Sequence, residues 1–168
     1  MKFSKVYILS SFFAAVFLIV VSTNAFAQEK KINQKEVPAV VLSSFHKAFP
    51  KAAIKGTSIE TEKGIKYFEI ESMEGAKHID LLVSKTGKIN EVEESIPTEQ
   101  IPSLVMKTLQ SKFKGLKIEN AEKVTHGAVS NYELAIQNKS GKYEVKLNEG
   151  GELLKSEKIK KGKPDESD

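Results

Sequence analysis

This sequence predicts an α+β fold of two tandem repeats, each one helix packed on a four-stranded antiparallel meander. Three observations carry the prediction. Sliding the chain by the spacing of Gly87 and Gly151 (151 − 87 = 64) lays residues 36–95 on 100–159. Each copy opens with a one-sided apolar stripe at helical spacing. Each then continues as four short runs of alternating character, separated by glycine-containing turns.

The repeat is carried by pattern more than by identity. Pro38 falls on Pro102, Val41 on Val105, Phe49 on Phe113, Glu69 on Glu133 and Glu93 on Glu157. Phe68 and Ile70 fall on Tyr132 and Leu134, while Ile79, Leu81 and Val83 fall on Tyr143, Val145 and Leu147. Tyr132 and Tyr143 are therefore expected in the core rather than on an exposed aromatic platform.

In the first unit, Val37, Val40, Val41, Phe45 and Phe49 mark the helix, with Pro38 in its first turn and Pro50 ending it. In the second, Ile101, Leu104, Val105, Leu109 and Phe113 repeat the stripe, and Gly115 closes it. The strands are predicted near 53–61, 65–72, 77–84 and 88–94, then near 117–125, 129–137, 142–148 and 152–159. Connections this short make antiparallel hairpins, because parallel pairing needs a long crossover. The link Ile96-Pro97-Thr98-Glu99 admits either one larger concave sheet or two sheets side by side.

The ends follow other rules. Lys2 and Lys5, an apolar run from Val6 to Val21 and Ala25-Phe26-Ala27 describe a signal peptide, 1–27, cleaved after Ala27. Export to the periplasm or the extracellular space is the corresponding expectation, with no membrane segment left after cleavage. Residues 28–35 form a polar lead, 36–96 the first unit, 97–159 the second, and 160–168 a polar tail expected to be disordered.

Composition narrows the function. Removing Lys2 and Lys5 with the signal leaves 24 basic and 22 acidic residues, a balance of +2. Every basic residue is Lys. The planar fork that Arg brings to guanine and phosphate is missing, which argues against nucleic acid as a partner. The absence of Cys removes disulfides, thiolate metal sites and Cys nucleophiles together.

No recognised catalytic constellation emerges. Gly87-Lys88 is followed by Ile89 inside a strand and becomes Gly151-Glu152 in the repeat, so it is a hairpin turn and not a phosphate cradle. His46 and His126 stand outside any metal-ligand spacing, there is no nucleophile elbow, and no motif asks for a cofactor. The residues singled out lie on the strand face away from the helices: Tyr67, Glu69, Glu71, His78, Asp80 and Leu82. Pairing about Ser72–Lys77 would set Glu71 opposite His78, Glu69 opposite Asp80 and Tyr67 opposite Leu82, with Phe68 meeting Leu81 and Ile70 meeting Ile79. The repeat would then set Glu133 opposite Glu144, flanked by the compensating Lys142 and Lys146. Facing carboxylates repel, so the first pair, without lysines, is the candidate receptor for a cationic group.

The helices VPAVVLSSFHKAFP and IPSLVMKTLQSKF resemble those of the PepSY-like proteins with a β-lactamase-inhibitor-like fold. So do the hairpins YFEIESMEGAKHIDLLVSKTGKI and YELAIQNKSGKYEVKLNEGGEL. The resemblance covers nearly all of 36–159 and implies helices on one face of a sheet whose other face is open. It further implies a non-catalytic protein that holds a protein partner, such as a peptidase or other envelope enzyme, on that open face. Metal or small-ligand binding by the acidic patch around His78 is the alternative, calcium favouring the carboxylates and a transition metal involving the imidazole.

Overall fold

A computed structural model describes residues 29–62 and 64–159. The expected signal peptide and the expected tail lie outside the described residues. The chain runs β1 (Lys30–Lys31), α1 (Ala39–Ala48), β2 (Ala53–Glu62), β3 (Ile65–Glu74), β4 (Lys77–Ser84) and β5 (Ile89–Ser95). It continues as α2 (Ser103–Lys112), β6 (Lys117–His126), β7 (Val129–Asn138), β8 (Gly141–Asn148) and β9 (Leu153–Lys158). A short 3-10 turn precedes each helix, at Gln34–Glu36 and Thr98–Gln100.

All nine strands join one antiparallel sheet in sequence order, β1 to β9. Of the two arrangements the link allowed, the continuous sheet is the one formed. The join is β5 against β6, with Val92 opposite Thr125 and Glu94 opposite Lys123. The polar lead is more ordered than its composition suggested. Lys30 and Lys31 pair with Ile59 and Ser58. The Ile32 amide donates to the Thr57 carbonyl at 3.0 Å, and Thr57 Oγ1 donates back to the Ile32 carbonyl at 2.9 Å.

Each helix starts where proline sets an extended residue before the first turn, at Pro38 and Pro102, and neither uses a side-chain cap. Stability therefore rests on what the apolar stripes bury. Val41 and Phe45 of α1 are wholly buried against Ile70, Ile79, Leu81 and Val83. Val105 and Leu109 of α2 are buried against Leu134, Ile136, Val145 and Leu147. At about 1.5–3 kcal/mol for each fully buried large side chain, these two clusters dominate the folding energy. Tyr132 and Tyr143 join the second cluster, as the repeat predicts.

The turns flanking Gly87 and Gly151 lie against the helices. Both glycines have positive φ, 83° and 80°, and each amide closes its hairpin at 2.9 Å, onto Ser84 and Asn148 respectively. A Cβ on Gly151 would stand 2.5 Å from the Leu104 carbonyl oxygen, and Thr108 Oγ1 donates to the Gly151 carbonyl at 2.7 Å. A Cβ on Gly87 would likewise stand 2.8 Å from Ser44 Oγ and 2.9 Å from Val40 Cγ2, so the Gly-Lys dipeptide is a hairpin turn docked on α1.

Candidate functional site: the open face of the sheet

Strand alternation sends one set of side chains under the helices and the other to the opposite face. On β3, Phe68, Ile70 and Ser72 go under; Tyr67, Glu69 and Glu71 go outward. On β4, Ile79, Leu81 and Val83 go under; His78, Asp80 and Leu82 go outward. All six residues singled out in the sequence therefore share the open face.

Their pairing differs from the expected one by two residues. Glu71 lies opposite Asp80, Glu69 opposite Leu82, Tyr67 opposite Ser84 and Met73 opposite His78. Under the helices, Ile70 meets Leu81 and Phe68 meets Val83. The cause is the turn. Glu74 pairs with Lys77, so Gly75-Ala76 makes a two-residue hairpin, with Gly75 at φ 62°. A shift of two leaves every side chain on its face and changes only its partner. The same shift in the second unit places Glu133 opposite Lys146 and Ala135 opposite Glu144. Lys146 Nζ binds Glu133 Oε1 at 2.7 Å, and Lys142 reaches Glu119 at 2.8 Å, so neither forms the expected bridge to Glu144.

Sequence reasoning missed the neighbours that complete the patch. Asp80 has Glu71 on one side and Glu93 of β5 on the other; Leu82 lies opposite Glu91. A row of carboxylates, Glu71–Asp80–Glu93, thus crosses three adjacent strands at about 4.8 Å per step. Glu91 and Glu93 alternate with buried-side Val92, which was the available signal. Its meaning depended on β5 lying inside one continuous sheet.

This crowding disfavours ionisation. Burial, followed by the charges of Glu69, Glu71 and Glu122, lifts the Asp80 carboxyl to about 8. Burial, with Glu91, Glu133, Glu122 and Asp80 adding to it, lifts Glu93 to about 9. Glu60 rises to about 7 by burial and by its proximity to Glu69 and Glu62. Glu69 and Glu91 are raised as well, chiefly by burial; the hydroxyl of Ser58, bonded to Glu69, and the cations near Glu91 oppose the shift. Asp80 Oδ2 stands 3.2 Å from Nδ1 of His78, while its Oδ1 is buried with no hydrogen-bond partner among the described residues.

Two other features bear on ligands. Oxygens of Glu29, Glu69 and Glu71 lie within 4.8 Å of one another, close enough to share a cation. None of the three histidines belongs to that group, not even His78, on which the metal alternative centres; His126 Nδ1 lies 3.6 Å from Glu91. No helix among the described residues is long and apolar enough to cross a membrane.

The chain belongs to the family described as putative beta-lactamase-inhibitor-like, PepSY-like, whose model matches residues 23–91 and 84–158. Solved structures share the fold at low identity. A putative periplasmic protein from Bacteroides eggerthii is 16% identical with a TM-score of 0.62, covering 73% of this chain and 89% of its own. A DUF2874 family protein from Bacteroides uniformis is 15% identical with a TM-score of 0.59, covering 72% and 88%. A BLIP-like protein from Bacteroides fragilis is 16% identical with a TM-score of 0.58, covering 75% and 89%. No curated protein matches the sequence.

Proposed function

We propose that this is an exported, non-catalytic binding protein whose open sheet face receives a cationic segment of a protein partner. An envelope or secreted enzyme, such as a peptidase held inhibited or modulated, fits that role. The observation that carries the proposal is the row Glu71–Asp80–Glu93, partly buried, acidic, and lacking a lysine between its members. A Lys or Arg side chain entering the row would offset the burial and the neighbouring carboxylates that now keep protons on Asp80 and Glu93. The family's inhibitor-like fold and the signal-like N-terminus support the same reading. So does the two-unit architecture, in which four strands and a helix recur at a constant offset.

The test is titration of the chain with an oligolysine peptide at low and high salt, for the native protein and for Asp80→Asn with Glu93→Gln. Salt-sensitive binding that the double substitution weakens supports the proposal; equal affinity in both proteins removes it. A second reading is favoured by the Glu29, Glu69 and Glu71 oxygens, which could hold a metal cation. Calorimetry with calcium, zinc and copper separates the two, because Glu29→Gln should abolish metal binding and spare oligolysine.

A further inference from the structure

β1 is the counterpart of the end of β5. Lys30 and Lys31 pair with Ile59 and Ser58 just as Glu94 and Ser95 pair with Lys123 and Glu122, each position displaced by the repeat offset. The following bonds match too: the Ile32 amide donates to Thr57 and the Ile96 amide to Ala121. β9 is likewise the counterpart of β5, since Leu153–Lys158 sits where Ile89–Ser95 sits one repeat earlier. The internal junction β5·β6 is therefore a template for what the two ends of the sheet can do.

We propose that the free edge of β9 and the edge of β2 beneath β1 are the two halves of a head-to-tail interface between copies of this chain, and that β1 keeps it closed. The backbone directions agree. The Ile159 amide donates to the Lys142 carbonyl, so odd residues of β9 bond β8, whereas Ser156 and Lys158 direct their N–H and C=O groups away from it. Among the described residues no strand receives them. On β2 the Thr57 carbonyl points toward β1, so Ile59 and Thr61 share that edge, and β1 ends at Ile59. Transferring the junction pairs Val92–Thr125 and Glu94–Lys123 by one repeat gives Ser156 with Thr61 and Lys158 with Ile59 of the next copy. Ile59 is the position that Lys30 holds in the closed chain.

Side chains partly follow the template. Lys155 would face Glu62, as His126 faces Glu91 at the junction. Glu157 would face Glu60, a like-charged pair that opposes the association even with the β2 edge open. Lysines on the edge and a short capping strand are devices by which open sheets avoid pairing with copies of themselves. Because the two surfaces differ, the contact is head-to-tail rather than two-fold, and would grow past a dimer into rings or chains. The inference is independent of what the open face binds.

Sedimentation velocity over a wide concentration range tests it, on the chain from Gln28 onward, which contains every described element. Lys30→Pro removes the amide that holds β1 on Ile59, and Ser156→Pro removes an amide that points away from β8 and leaves the β8·β9 bonds in place. The native chain should sediment as a monomer. Lys30→Pro should give a mass that climbs with concentration past that of a dimer, and Lys30→Pro with Ser156→Pro should return to the monomer. A Lys30→Pro chain of native circular dichroism that stays monomeric overturns the proposal, as do oligomers that persist with Ser156→Pro. If Lys30→Pro loses native circular dichroism, a chain starting at Ile32, which keeps the Ile32–Thr57 bonds, is read by the same criteria.

Discussion

Glu71 and Asp80 face each other directly across β3 and β4 on the open side of the sheet, and Glu93 faces Asp80 from the other flank. One Asp80 oxygen is buried without a partner among the described residues. A fold that places carboxylates this way gives up stability whenever they ionise, which ties stability and binding to the same few side chains.

Stability should fall as pH rises from about 5 to about 9. Asp80 and Glu93 hold their protons to about 8 and about 9 in the folded chain, whereas unfolded carboxyls release them near pH 4. Between those limits the folded state binds more protons, so the stabilising contribution is full below the unfolded pKa and is lost as pH passes the folded one. Thermal melts across that range should show a falling midpoint. A midpoint that rises throughout would contradict the assignment.

Glu93→Gln should stabilise the chain by about 1 kcal/mol near pH 5, where only the unfolded carboxyl is ionised, and by several kcal/mol near pH 9, at ~1.4 kcal/mol per pH unit. Urea unfolding at the two pH values measures the difference. A cost of the same size at both would mean that the charge is not what matters there.

Lys146→Met should cost about 1–3 kcal/mol, because Glu133 is only 5% exposed and Lys146 is its ion-pair partner at 2.7 Å. Adding Glu133→Gln should recover most of the loss, since no buried charge is then left alone. A double-mutant cycle reads the coupling directly, and additive losses would show that the pair is not the stabilising feature.

Gly151→Ala should destabilise by about 2 kcal/mol or more. The residue sits at φ 80°, and a Cβ there would meet the Leu104 backbone at 2.5 Å. Gly127→Ala, at φ 61° with open space around it, should cost less. Equal melting points for the two variants would deny that the β8–β9 turn docks on α2.

The sequence's alternation assigned Tyr67, Glu69, Glu71, His78, Asp80 and Leu82 to the open face, and all six are there. Their partners were not legible, because alternation is unchanged by a two-residue slip and the length of the Gly75-Ala76 turn decides between the registers. Glu93 was hidden for a different reason. Its place beside Asp80 follows from β4·β5 pairing, but the depth of the patch comes from β6 closing over the far side of β5 after an intervening helix. The β1 strand was hidden too, since Lys30 and Lys31 carry no apolar signal and are fixed by Ile32 and Thr57.

The most direct measurement of the central claim is an amide chemical-shift titration of the chain with oligolysine at about pH 7. Shifts should concentrate at Glu69, Glu71, Asp80, Glu91 and Glu93, spare α1 and α2, and be lost with Asp80→Asn and Glu93→Gln. Binding should also release protons, because a cation in the row lowers the raised carboxyls, so affinity should increase toward about pH 9. Shifts centred on the helices, or an open face that stays silent at saturating peptide, would contradict the claim.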